Sequence, residues 1–274
     1  MTIEEALREA SGRLKGVASR PRLEAEILLG DLLALKRHML HLASNDSLEE
    51  ADSYFALVER RAEGEPIEYI TGMVSFYDVE LEVGPGVLIA RPETELLVDK
   101  AAEVIEKYKI ERVAEIGVGS GAVSLVLARK FPRLRIVATD ISERALIYAK
   151  RNLARYDLLD RVSLKKCDML SDVTEDIELI VSNPPYISDG YKLPLPVTFE
   201  PKEALFGGES GDELIKKIID SAAKSRISHI VCEMGFDQRE KIASYCRQKA
   251  LSKPEFYKDL AGFDRGFYLK MFND

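Results

Sequence analysis

Apolar residues recur every three or four positions through roughly the first 65 residues, a spacing that lines one face of a helix. The stretch "RLEAEILLGDLLAL" shows it most plainly, with Pro21 just ahead, where a helix start tolerates a missing amide hydrogen. At the N-terminal end, "TIEE" has the form of a capping box, in which Thr2 accepts from the first turn and Glu5 reaches back. "SLEE", Ser47 to Glu50, repeats the device before a third helical stretch running to about Glu63. These segments predict a small helical bundle over residues 1–68. In "YITGMVSFYDVELEVGPGVLIA" the apolar period shortens to two and glycines punctuate the ends, which predicts a linking β-hairpin over residues 69–90.

The remaining chain, residues 91–274, reads as one domain. "RPETELLVDKAAEVIEKY" is helical in spacing, and from Arg112 strands and helices alternate. "RVAEIG", "RIVATD", "RVSLKKCD", "IELIVSN" and "HIVCEM" are short apolar strands, separated by amphipathic stretches such as "SERALIYAKRNLARYDL". Capping boxes are expected at Ser210 to Glu213 and at Asp237 to Glu240. "PEFYKDLAGFDRGFYLKMF" reads as two strands joined by a glycine-containing turn. Such alternation implies an α/β fold with a mostly parallel sheet covered on both faces, finished by antiparallel strands.

Ligands of such sheets bind beyond the carboxyl ends of the strands, and four motifs stand there: "EIGVGSG", "ATD", "KKCD" and "SNPPY". Gly117, Gly119 and Gly121 permit a tight turn into a helix and a close approach of ligand to backbone. Asp140, at the end of the next strand, is placed to accept from both ribose hydroxyls. Asp168, with a neighbouring amide, suits the amino edge and ring nitrogen of adenine, and Cys167 beside it reads as a small packing residue. These features favour an adenosine ligand. They do not separate a nicotinamide cofactor from S-adenosylmethionine. No lysine and serine follow the glycines as in a P-loop, and no Tyr–Lys pair or histidine is signalled for hydride chemistry.

Acidic residues outnumber basic ones, 47 to 39, for a formal charge of -8. The first 68 residues carry nine basic and fourteen acidic groups, net -5. That balance disfavours a nucleic-acid backbone as main partner. The bundle fits a module for a protein partner as well as plain packing. Cys167, Cys232 and Cys246 have no metal-ligand spacing, and only three histidines occur, so no metal site is expected. The acidic start "MTIEEALREA" is unlike a signal peptide, and no apolar run reaches the roughly 18 residues of a membrane span. A cytoplasmic protein without membrane association is expected.

"SNPPYI" names the chemistry. Proline fixes its own φ and restricts the residue before it, so Asn183 and Pro184 are held extended. Neither Pro184 nor Pro185 has an amide hydrogen, which leaves the Pro184 carbonyl free to accept from a ligand. The Asn183 side-chain oxygen and that carbonyl together match the two N–H donors of a primary amide or exocyclic amine. Accepting both turns the nitrogen lone pair out of conjugation and favours the positive charge that builds on nitrogen during methyl transfer. Tyr186 is placed to stack on the flat group. No general base is required beforehand.

The loop and its upstream glycines resemble those of amino-methyltransferases in the class I S-adenosylmethionine-dependent superfamily. Over nearly its whole length the chain resembles the release factor glutamine methyltransferase family, in "EPIEYITG", "LIARPETELLVD", "SNPPYI", "FEPKEALFGGESG" and "CEMGFDQ". The resemblance implies a seven-stranded class I methyltransferase (Rossmann-like) sheet with a small N-terminal helical, substrate-recognising bundle. It implies methyl transfer from S-adenosyl-L-methionine to the glutamine side-chain nitrogen of the Gly-Gly-Gln motif in class 1 peptide-chain release factors. Carried over, Gly117, Gly119 and Gly121 line the donor, Asp140 holds its ribose, and Cys167 and Asp168 border its adenine. Asn183, which also borders the donor, binds the glutamine amide with Pro184 and Pro185, and Tyr186 packs on the substrate side chain. Arg91 and Glu93 lie near the mouth. The family usually has Asp-x-Gly at the first strand end, where Glu115 stands here; the longer acid is expected to reach the donor's methionine amino group. Ala90 replaces a common proline. "ISDGYKLPLPVT" after the loop suggests a semi-rigid lid. The alternative, a nucleic-acid adenine-N6 methyltransferase, shares the loop but needs a base pocket and a basic surface, and the acidic N-terminal bundle argues against it.

Overall fold

In the computed structural model, which describes residues 1–272, the first helix starts where the sequence puts a cap. Thr2 Oγ1 accepts from the Glu5 amide at 3.2 Å, and Glu5 Oε2 accepts from the Thr2 amide at 2.8 Å, opening α1 (Ile3–Arg13). α2 (Pro21–Leu32) begins on its proline, and α3 (Arg37–Leu42), α4 (Ala51–Ala62) and α5 (Ile67–Thr71) follow. Leu7, Leu14, Leu28, Leu29 and Tyr54 are fully buried in this bundle, and the Tyr54 hydroxyl donates to the Ala25 carbonyl at 3.0 Å. Residues 1–73 with 193–199 form one unit, and residues 74–192 with the chain from 200 onward form another. Residues 273 and 274, the end of the domain expected at 91–274, lie outside the described residues.

The hairpin of β1 (Met73–Phe76) and β2 (Val79–Glu82) belongs to the second unit from Val74 onward. Then come α6 (Thr94–Tyr108), β3 (Arg112–Ile116), α7 (Ala122–Lys130), β4 (Arg135–Asp140), α8 (Glu143–Arg155), β5 (Val162–Lys166) and β6 (Leu179–Ser182). A two-residue β7 (Ile187–Ser188) pairs with β8 (Phe206–Gly208) as a small separate sheet. α9 (Glu213–Lys224), β9 (His229–Glu233), α10 (Arg239–Gln248), β10 (Glu255–Lys258) and β11 (Asp264–Lys270) complete it. The seven-stranded sheet has the order β10-β11-β9-β6-β3-β4-β5, with β11 antiparallel to both neighbours and the other pairings parallel. This is the Rossmann-like class I methyltransferase sheet.

Its central strands β3, β6 and β9 are buried almost throughout because helices cover both faces, whereas the edge strands β5 and β10 are partly exposed. Ala114, Ile116, Ile180, Ile230 and Cys232 share one face with Ile215, Ile218 and Ile219 of α9 and Ile242 of α10. Alternate residues point the other way, where α6 packs on β6 and β9. Register sets the carboxyl edge: Ile116 pairs with Thr139 on one side and Ser182 on the other, and Ser182 pairs with Cys232. Gly117, Asp140, Asn183 and Glu233 therefore emerge side by side.

Three expected capping boxes take other forms. α4 has Glu50 at its N-cap with no side-chain cap, because the backbone around Ser47 pairs with the residues before α1. At α9, Glu213 does reach the Ser210 amide at 2.8 Å, but Asp212 is the N-cap and the Ser210 hydroxyl donates to both carboxylates. At α10 the N-cap is Gln238, whose side chain accepts from the Gly235 amide instead. The final two strands turn through Gly262 as expected.

Asn152 on α8 joins the hairpin to the glycine loop. Fully buried, it accepts from the Glu82 amide at 2.7 Å and donates to the Glu82 and Ser120 carbonyls at 3.0 and 2.8 Å. An Asn152→Ala variant leaves these backbone groups without partners, at a cost of about 1–3 kcal/mol. Urea denaturation should show that loss; an unchanged midpoint would mean that the hairpin satisfies itself.

Candidate active site

The glycine loop after β3 takes its shape from three residues in the left-handed region, Gly117 (φ 77°), Gly119 (φ 54°) and Gly121 (φ 86°), a conformation that other residues adopt at a cost. The loop faces a cleft with about 840 Å³ of space, part of it open to solvent. Gly117 and Gly119 line this cleft, and Gly119 has open space where a side chain would stand. Gly121 does not line it; it is the N-cap of α7.

Glu115 departs from its expected place. It is buried and absent from the cleft wall; its carboxylate accepts from the Ser124 amide at 3.0 Å and from the Ser124 hydroxyl. The physical reason lies in the helix that follows. Gly121 has no side chain with which to cap α7, so the strand-end acid satisfies an otherwise orphaned amide of the first turn. Its engagement is with that helix, and the structure does not bring it to the cleft.

Asp140 lines the cleft and is held from behind. Its Oδ2 accepts from the Gly119 amide at 3.0 Å and its Oδ1 from the Ser142 amide at 2.8 Å. Burial pushes its carboxyl above the usual range against these bonds. Cys167 and Asp168 stand on the same wall, Cys167 buried and Asp168 exposed, and the Cys167 amide is pinned to the Asp140 carbonyl at 3.1 Å. Apolar Ile141, Met169, Leu214 and Ile218 complete this end.

At the other end, Asn183, Pro184 and Pro185 line the cleft directly after β6. Asn183 Nδ2 donates to Thr94 Oγ1 at 3.0 Å, which directs the nitrogen end of the carboxamide away and leaves Oδ1 available. Tyr186 is half-buried outside the cleft wall; its hydroxyl donates to Glu233 Oε1 at 3.1 Å, and its carbonyl accepts from Gln238 Nε2 at 2.8 Å. Behind the loop, the glycines of "FGGESG" stand where a side chain has no room. A Cβ on Gly207 would stand 2.3 Å from the Pro185 carbonyl oxygen, and one on Gly211 would stand 2.5 Å from that of Tyr186.

Arg91 pairs with Glu200, a buried acid whose second oxygen accepts from the Ile89 amide at 3.0 Å. Both Arg91 and exposed Glu93 lie outside the cleft wall. Sequence reasoning had not assigned roles to Thr94, Glu233 and Gln238. All three sit inside the quoted stretches "RPETE" and "CEMGFDQ", but their partners lie tens of residues away, across strands whose register no local pattern reports.

The two parts of the chain match two family models, described as PrmC N-terminal domain over residues 5–72 and Methyltransferase small domain over residues 92–195. The chain is 36% identical to a release factor glutamine methyltransferase of Moorella thermoacetica, covering 97% of this chain and 98% of that one. A release factor glutamine methyltransferase of Coxiella burnetii is also 36% identical, over 97% of each chain. Among solved structures, the catalytic domain of human Mettl16 in complex with a 3′UTR hairpin superposes with a TM-score of 0.59 at 15% identity, over 71% of this chain and 77% of that one, a likeness of fold.

Two predictions follow from the packing. Burial pushes Glu115 up to about 8 and Glu233 up to about 7 from an ordinary 4.5, so the folded chain holds both protons more tightly than the unfolded one. That contribution to stability is complete below about pH 4.5 and is lost as pH rises through about 7 and then about 8. Thermal midpoints should fall across that window, less steeply for Glu115→Gln; an unchanged slope would mean that Glu115 ionises in place without cost. Gly207→Ala should displace the loop and lower turnover about tenfold or more, with a smaller effect on melting. Full activity in that variant would show that the backbone there gives way.

Proposed function

The chain belongs to the release factor glutamine methyltransferase family, and on that premise we propose how its cleft serves the family's reaction. The protein methylates the side-chain nitrogen of the glutamine in the Gly-Gly-Gln motif of class 1 peptide-chain release factors. Asn183 carries the assignment of the site. It follows a buried strand beside the glycine loop, with the nitrogen of its carboxamide already engaged and the oxygen left for an acceptor.

The donor half fits S-adenosylmethionine. Open space at Gly119 admits a ligand against the backbone, Asp140 presents an oriented carboxylate for a pair of ribose hydroxyls, and Ile141, Met169 and Ile218 offer apolar walls for a flat base. Gly117, Gly119, Asp140, Cys167, Asp168 and Asn183 would hold it, with Gly121 shaping the loop. When bound, S-adenosylmethionine supplies a methyl group made electrophilic by its sulfonium.

The chain's own residues do the rest. The Asn183 Oδ1 and the Pro184 carbonyl accept the two hydrogens of the glutamine amide, holding its nitrogen in line and favouring the charge that develops there. Pro185 stiffens the loop. Tyr186, its hydroxyl anchored on Glu233, turns its ring to the glutamine stem. Arg91 and Glu93 border the entrance, with Arg91 fixed by Glu200. The helical bundle over residues 1–68 serves recognition of the release factor. Among the described residues no helix is long and apolar enough to cross a membrane. The three cysteines are free and buried, which suits a reducing compartment, and we place the protein in the cytoplasm with its substrate.

Mass spectrometry of a purified class 1 release factor after incubation with this protein and S-adenosylmethionine tests the reading. One added methyl on the motif glutamine is expected; label that persists after that glutamine becomes alanine would overturn it. Asn183→Ala should bind the donor within about threefold of wild type, yet lose about 10²-fold or more in turnover. Calorimetry and initial rates separate the two effects, and a variant that keeps its rate would remove Asn183 from the mechanism.

A further inference from the structure

We propose that Thr94 and Glu233 are positioning residues that decide which end of the Asn183 carboxamide faces the acceptor nitrogen, an inference that rests on the role proposed for Asn183. A primary carboxamide has an accepting end and a donating end of nearly the same shape, so packing alone does not choose between them. The choice is decisive here. With oxygen outward, Asn183 accepts from the glutamine amide; with nitrogen outward, two donors face each other and the grip is lost.

Thr94, at the first position of α6, is buried, and its hydroxyl oxygen accepts from Asn183 Nδ2 at 3.0 Å. A hydroxyl holds that role securely only while its own hydrogen is directed elsewhere. Glu233, at the end of β9 and 2% exposed, provides the direction: its carboxyl lies beside Thr94, whose hydroxyl favours the ionised acid. From the opposite side the Tyr186 hydroxyl donates to Glu233 Oε1. Oε2 is buried and takes no full hydrogen bond from a described residue, so it retains capacity for the Thr94 hydrogen. In this arrangement Asn183 donates to Thr94 and Tyr186 donates to Glu233, and the unpartnered Glu233 Oε2 is the group to which Thr94 would direct its own hydrogen.

Protonation of Glu233 would weaken that direction, since a neutral carboxyl can donate back to Thr94 and free the Thr94 hydrogen for Asn183. The groups that bear on it are Arg265 of β11, which favours ionisation, and Glu93 before α6, which opposes it. Tyr186, Tyr257 of β10 and the adjoining Cys232 also face it. Burial holds the carboxyl up at about 7, so its charge changes near neutral pH.

Steady-state methylation of an intact release factor by the full-length protein tests this, with Asn183→Ala as reference. Thr94→Val, which keeps shape but removes the hydroxyl, should lower kcat about 30-fold or more and leave the KM for the methyl donor within about threefold. Thr94→Ser should return kcat to within about threefold of wild type. Wild-type kcat should rise with pH across about 7, and Glu233→Gln should abolish that rise. The proposal is overturned by Thr94→Val activity within about twofold of wild type, by Thr94→Ser as impaired as Thr94→Val, or by a pH rise that survives in Glu233→Gln. Loss in Asn183→Ala beside full activity in Thr94→Val would sink this inference alone. Equal labelling by wild type and Asn183→Ala, or none by wild type, would sink the reading of Asn183 and this inference with it.

Discussion

Parallel pairing of β6 with β3 and β9 is the constraint on which the site depends. Ser182 sits opposite Ile116 on one neighbour and Cys232 on the other, so the next residues out, Gly117, Asn183 and Glu233, leave the sheet together. Backbone hydrogen bonds fix this alignment, and the side-chain alternation of a sheet makes it all-or-none: slipping one strand by one residue would exchange its two faces. The cleft is thus assembled by main-chain geometry before any side chain contributes chemistry. Ser182 strengthens the alignment by donating to the Ile116 carbonyl at 2.7 Å.

Two buried glutamates sit along that edge and serve unlike ends. Glu115 closes the start of α7, where Gly121 offers no cap, and Glu233 accepts from the Tyr186 hydroxyl behind the loop that follows β6. Both carboxyls are held neutral more readily than in water, because burial penalises the charge more than their donors reward it. An acid at a strand end is an ambiguous sign for that reason. The same residue type reads as a ligand-binding group, a helix cap or a hydrogen-bond hub, and only its packing tells which.

Much of the architecture was legible. Helical spacing gave the bundle, and alternation of short apolar strands with amphipathic helices gave the sheet, because each depends on local periodicity. Capping was less so. The Thr2 box formed, but at Ser47, Ser210 and Asp237 the same letters met backbone already engaged elsewhere or helices that started later. β7 and β8 are too short to carry a period. Asn183, Pro184, Asp140 and Asp168 line the cleft, and their place at or just beyond the ends of strands was legible in the chain. Thr94 and Glu233 were not, because their meaning is a contact across 89 and 47 residues of chain to Asn183 and Tyr186.

Asp140 carries one more implication. Its two oxygens take the amides of Gly119 and Ser142, so the glycine loop is tied to the end of β4 by a carboxylate that also lines the cleft. Replacing Asp140 would therefore remove a carboxylate from the cleft and untie the glycine loop at once, so lost ligand binding and lost loop order would arrive together.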